Sequence, residues 1–329
     1  MTGHDGQPPP DPRPDGRRED QQHLDDQLHQ HLDDQLHQHL DDQLHQHDQQ
    51  HDDRHDTQTQ KENDMGTESW VIAAPQQIEV GEVTSLVVGL TNGAIEVVSD
   101  PARESGASID VTEVGPRPLH VTSHAGELRV AYDFAGVEGV VDRVRGLKDK
   151  DTATVRVVLP AHLPVKIATA RAAVAVTGTR ADVSVTTADG AVTVDDTVGV
   201  LAVKSAAGRV AATAHEGDVR VSTASGRVEV GGRLGRVTVS TVTGDVVVEA
   251  RETTPLVTAK TVSGDVTLRL GQGAGVNLKA RAVTGKVVLD GAPLPSTQSR
   301  TTSVDHSDGT SGAYVSASSV SGNLTVSRA

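Results

Sequence analysis

Glycine returns in this chain at a nearly fixed interval. Gly190, Gly208, Gly226 and Gly244 stand 18 residues apart, Gly264 follows after 20, Gly285 after 21, and Gly322 after 37, about two periods. Eighteen residues before Gly190 stands Ala172, in a copy whose glycine is replaced. The flanks keep the same register. Two and four residues after these anchors come Val192/Val194, Val210/Ala212, Val228/Val230, Val246/Val248, Val266/Leu268, Val287/Leu289 and Leu324/Val326. Seven and five residues before them come Val183/Val185, Leu201/Val203, Val219/Val221, Val237/Val239, Val257/Ala259, Leu278/Ala280 and Val315/Ala317. Polar or small residues such as Arg220, Glu229, Thr238 and Lys279 alternate with them. The same frame fits Gly93, with Leu86, Val88, Ile95 and Val97, and Gly126, with Val121, Leu128 and Val130.

Alternation with period two is the signature of a strand with one face buried. Each unit therefore reads as strand, T-x-x-G turn, strand and second turn. A unit of about 18 residues cannot close a core alone, but stacked units bury the four apolar columns as one. The expected fold is all-β: a β-solenoid of two-strand coils in which like strands stack in parallel. A β-sandwich or barrel of antiparallel hairpins is the alternative. Composition favours the solenoid, because the chain has only four aromatics, Trp70, Tyr132, Phe134 and Tyr314, and a narrow interior of small β-branched side chains suits it. Trp70 and Tyr314 are the candidates for packing over the open ends, which as strand edges need covering. The polar segment 293–312 occupies most of the missing coil before Gly322 and is expected to be a loop.

The segment 1–66 differs in kind. "HLDDQLHQ" occurs three times in tandem from His23, His31 and His39, and ten of the fifteen histidines precede residue 65. Leu24, Leu28, Leu32, Leu36, Leu40 and Leu44 are its only apolar column, too little to fold alone, so a disordered low-complexity tail is expected. The chain then divides into this tail (1–66), an N-terminal cap with irregular β structure (67–165) and the regular repeat (166–329). Met65 is an alternative start. Within 136–151, Arg143, Arg145, Lys148 and Lys150 read as a solvated loop.

Charge follows the same division. Residues 1–64 hold 17 acidic and 5 basic residues, a charge of −12 out of −15, so the remainder is nearly neutral. Neither a basic stripe nor aromatic stacking residues point to nucleic acid. There is no cysteine, which excludes disulfides and thiolate metal sites. Neither a secretory h-region nor a long apolar run is found, so the expected location is the cytoplasm, with no membrane span.

The iterated "TVSGDV"-type turn, the opening "ESWVIAAPQQIEV", the stretch "RPLHVTSHAGELRVAYDF" and the closing "VSASSVSGNLTVSRA" resemble a bacterial β-strand-repeat domain. That domain is catalogued as a putative adhesin of unknown function. The resemblance covers about residues 68–329. It implies a repetitive β domain without an established enzymatic activity, and its label implies the cell surface.

Three sets of residues are candidates for chemistry. His29, Asp33, His37, Asp41 and His45 lie four apart, so on a helix neighbours share a face, and imidazole with carboxylate suits Zn²⁺ or Ni²⁺. An expanded, solvated repeat is the other reading of the same residues. Asp245 and Asp265 follow consecutive turn glycines, so their carboxylates could approach within about 5 Å, near enough for Ca²⁺ or glycoside hydrolysis. The column Thr187, Ser205, Thr223, Thr241, Thr261, Ala282 and Ser319, three before each glycine, suits hydroxyls that hold the turn. His120, His124, His162 and His215 have no recognisable serine–acid partners.

The expectation is a non-enzymatic β-repeat protein, without catalytic residues or a cofactor, that serves protein–protein contact or self-assembly. An exported adhesin, a scaffold with a metal-binding or pH-responsive tail, and a polysaccharide-active β-helix enzyme are the alternatives.

Overall fold

In the computed structural model the chain divides into two units, Met1–Asn63 and Asp64–Ala329. The structure describes residues 67–132, 151–251, 255–272, 274–295, 302–308 and 312–328, all within the second unit. Every regular element there is a strand.

Parallel stacking of like strands is the organising feature. The strands that precede the turn glycines form a leading face, in which Leu201 pairs with Val183 on one side and Val219 on the other. Val237, Val257 and Val315 continue that column. The strands that follow the glycines form a trailing face, with Val174, Val192, Val210, Val228, Val246 and Val266 in register. In Val210–Ser225 and Val228–Thr243 the second turn flattens, and the trailing strand of one coil runs into the leading strand of the next. Between the faces the four apolar columns form one buried cluster. Each fully buried valine contributes about 1.5–3 kcal/mol by removal from water, so the repeat stabilises itself coil by coil.

The turn requires glycine for two reasons, seen at Gly226. Its φ is +117°, and a Cβ there would lie 2.0 Å from the carbonyl oxygen of Gly208 in the coil below. Glycines thus touch down the stack, and the sequence of touches reveals the order of the coils.

That order is not the order of the chain. A Cβ on Gly322 would meet Gly264, and one on Gly285 would meet Gly322. The last coil, Gly312–Ser321 and Leu324–Arg328, is therefore inserted between the Gly264 coil and the Gly285 coil. The interval before Gly322 is not a missing coil. Part of the segment expected to be a loop is instead strand: Thr302–Ser307 lies antiparallel to Gly275–Thr284, pairing Asp305 with Lys279. Ala292–Pro293 likewise pairs antiparallel with Val287–Leu289.

The other end repeats the pattern. The Gly93 coil, Ser85–Asp100, lies between Val165–Thr177 on one side and the later strands Glu127–Ala131 and Thr152–Pro160 on the other. Gly93 obeys the repeat frame, but Gly126 does not. Ala125 (φ +49°) and Gly126 (φ +80°) form the tight turn of an antiparallel hairpin, and Leu128 joins the leading column beside Leu86. A two-residue turn with both φ positive matches the twist of its flanking strands.

Antiparallel strands also close this end. Leu119–His124 and Glu68–Ile72 extend the leading face, while Ala107–Val114 and Gln76–Val80 extend the trailing one. Trp70 sits on an outermost strand opposite Val121 and packs on the core, as an end cap should. Tyr314 does not cap. It lies mid-stack between Leu256 and Asn277 and is 61% exposed.

Candidate functional site

The residue after the turn glycine is where the sequence placed a carboxylate pair. Asp245 and Asp265 do occupy neighbouring coils, and one oxygen of each is engaged by backbone. Asp245 Oδ1 accepts the backbone N–H of Asp265 at 3.0 Å, Asp265 Oδ1 accepts that of Asn323 at 2.7 Å, and Asn323 Oδ1 accepts that of Lys286 at 3.1 Å. The column is a ladder in which one oxygen of each side chain caps the next coil, a structural role for the residues the sequence offered as a carboxylate pair.

The same device stands on the other side of the coil, where sequence reasoning missed it. Asp182 Oδ1 accepts the N–H of Val200 at 3.0 Å, and Asp218 Oδ1 that of Arg236 at 2.8 Å. The available signal was an aspartate eight residues before Gly190 and Gly226. Asp is favoured there because a short carboxylate reaches a backbone donor one strand spacing away.

The hydroxyl column behaves in two ways. Thr187, Ser205 and Thr223 donate to the carbonyl two residues on, at 2.8, 2.7 and 2.9 Å, and so hold the turn. Thr241, Thr261 and Ser319 are buried with no hydrogen-bond partner, and Ala282 continues the column without a hydroxyl. There the position serves as a small core site.

The histidines are dispersed. His124 Nδ1 lies 2.9 Å from the Thr67 hydroxyl at the surface. His215 is buried, with Nδ1 2.9 Å from the Thr197 hydroxyl and Nε2 without a partner. Burial holds its imidazole below the usual pKa, more strongly than the nearby Asp218 and Glu216 raise it. It continues a column of buried polar residues at the second turn, in which Ser99 and Thr179 share a 3.0 Å hydrogen bond. Among the described residues no three His, Asp or Glu side chains are placed to hold a metal ion. The tail candidates His29, Asp33, His37, Asp41 and His45, and the basic residues Arg143, Arg145, Lys148 and Lys150, lie outside the described residues.

The outer surface offers a shallow groove and a ridge. The groove, about 490 Å³, crosses the trailing face over Ala94, Ala173 and Ala191, beside Asp110 and the Glu96–Arg156 ion pair at 3.7 Å. The ridge runs along the turns of four consecutive coils, where Val242, Val262, Val320 and Val283 are 52, 47, 49 and 50% exposed. Leu256 and Tyr314, adjacent across two of those coils, are also exposed. No helix among the described residues is long and apolar enough to cross a membrane, a statement that does not bear on β-barrels.

Comparison with curated proteins finds no match. Among solved structures the chain is similar to a putative adhesin from Bacteroides fragilis, with 12% identity over 80% of this chain and 98% of that one and a TM-score of 0.44. A putative adhesin from Parabacteroides distasonis is 15% identical over 80% and 97%, with a TM-score of 0.39. A putative lipid binding protein from the same species is 10% identical over 78% and 97%, with a TM-score of 0.35. The family model described as Toastrack DUF4097 matches residues 33–327, beginning inside the octad repeat rather than near residue 68. With most of its length matched, and with the stacked two-strand coils that the repeat predicts, the chain belongs to the Toastrack DUF4097 family.

Proposed function

We propose that the protein is a non-enzymatic scaffold that associates with a second copy of itself through the valine ridge. Six of the eight large apolar side chains exposed among the described residues lie on the four coils that carry the ridge, and this clustering carries the reading. The four valines repeat at strand spacing, about 4.8 Å, so the ridge is about 14 Å long. A surface with the same period can meet every valine at once, and a second copy related by a two-fold axis has that period by construction.

Sedimentation equilibrium of the full chain tests this. A concentration-dependent dimer is expected, with Val262→Asp/Val320→Asp monomeric at an unchanged unfolding midpoint. A wild-type chain that stays monomeric at high concentration overturns the reading. The cytoplasm, expected from the sequence, is part of the proposal; fractionation that finds the chain at the cell surface favours an adhesive role.

A further inference from the structure

The two outer faces treat their cations differently. On the trailing face Arg156, Arg209, Arg227 and Arg269 each pair with a glutamate. On the leading face, eight adjacent strands present two outward rows across the stack, running from Lys166 to Lys279 and from Ala168 to Arg281. These rows hold six cations, Lys166, Lys204, Arg220, Lys260, Lys279 and Arg281, all exposed. They hold no acid, and every other position is Ser, Thr or Ala. Lys279 meets Asp305 of the flanking strand at 3.9 Å, and the other five make no ion pair among the described residues.

We propose that the leading face binds a linear acidic polysaccharide laid along the stack axis, across the strands. At about 4.8 Å per coil the six cations spread over about 34 Å, with gaps of about 5–10 Å between successive charged coils. A chain of sugars bearing repeated carboxylates meets such a row one charge after another. Between the cations stand hydroxyls such as Ser184, Thr186, Ser222 and Ser240, which donate to and accept from sugar hydroxyls. The rows contain no aromatic side chain, so they offer no stacking platform for nucleic-acid bases, and recognition rests on charge and hydroxyls. The rows border the valine ridge, with Lys260 and Arg281 two residues before Val262 and Val283 on the same strands. Sedimentation and polysaccharide titration are separate readouts, so failure of one proposal is distinguishable from failure of the other.

Calorimetric titration of the full chain with polygalacturonate at low ionic strength tests the inference. Saturable binding is expected, with an affinity that falls as salt rises and with no binding of neutral dextran. Lys204→Gln/Lys260→Gln/Arg281→Gln should weaken it at least tenfold, while Lys286→Gln, which removes an exposed cation beyond the trailing turn, leaves it unchanged. Wild-type affinity in the triple variant, equal binding of dextran, or a salt-independent affinity overturns the proposal. Tighter binding of oligothymidylate than of polygalacturonate also overturns it, in favour of a phosphodiester ligand. Should the triple variant fold poorly, the salt dependence and the dextran comparison on the wild-type chain still decide.

Discussion

Asp265 Oδ1 accepts the backbone N–H of Asn323 at 2.7 Å across a separation of 58 residues, and Asp265 in turn donates its own N–H to Asp245. The middle bond of this ladder joins the inserted last coil to the body of the stack. Asp265→Ala removes an acceptor from a solvent-facing backbone donor. A loss of about 0.5–1.5 kcal/mol is expected by chemical denaturation. Asp265→Asn keeps an acceptor oxygen and should recover most of that loss.

Gly226→Ala combines a positive φ with a Cβ 2.0 Å from the Gly208 carbonyl oxygen. Strain of this kind costs about 1–3 kcal/mol before the contact between coils is counted. Gly81→Ala, whose Cβ meets nothing within 4 Å, should change stability by less than about 0.5 kcal/mol. Comparable midpoint shifts in the two variants would contradict the close glycine stacking.

Arg328 binds both Asp290 and Asp308 through its guanidinium, which ties the last strand to the ends of two other segments. The hydrogen bond from Arg328 holds the Asp290 carboxyl below its usual pKa, and the Val276 N–H with Arg328 does the same for Asp308. Folded pKa values below the unfolded ones mean that this stabilisation is present above about pH 4 and fades as pH falls further. Arg328→Ala should lower the melting temperature at neutral pH and flatten the decline between pH 4 and about pH 2.

His215 gives a second pH window. Its folded pKa lies below the unfolded value of about 6.5, so below that pH the unfolded chain binds a proton that the folded chain refuses. Stability should therefore fall as pH drops from about 7 to 5. His215→Thr matches the preceding members of its column, Thr179 and Thr197, and should remove that fall even if the smaller side chain lowers overall stability.

Titration of the full chain with Zn²⁺ decides between the two sequence readings of the octads. Saturable uptake that His29→Gln/His37→Gln/His45→Gln abolishes would assign a metal site to these residues. Uptake unchanged in that variant leaves the octads as solvated repeat.

What the sequence revealed and concealed has one physical origin. The coil could be read because each of its positions has a fixed neighbour: Val219 faces the core in any stack of such units, and Gly226 bends the chain wherever its coil sits. The order of coils could not be read for the same reason. Val315 carries the same pattern as Val257 and Leu278, so it pairs with either, and nothing in the alternation says that it lies between them. The hairpin at Gly126 misled in the same way, since glycine with flanking valine and leucine fits a coil turn and a two-residue hairpin alike. Asp245 and Asp265 were placed correctly on adjacent coils, but a carboxylate that caps a backbone donor and one that awaits a ligand have the same spacing. Tyr314 was judged by its distance from the terminus, whereas burial depends on its row, and its row faces water.

The two inserted coils also bear on how such a protein can change length. In a simple stack a new repeat can be added at either terminus, because the last coil leaves a free edge. Here the last described strand is not an edge: Leu324–Arg328 has neighbours on both sides, and the outermost strands, Glu68–Ile72 among them, run antiparallel to the strands they cover. A copy appended after Arg328 would have no slot to enter. Duplication can lengthen the molecule only through its middle, between about Val183 and Gly264, where chain order and stack order coincide, so length variation among relatives built this way should be confined to that interval.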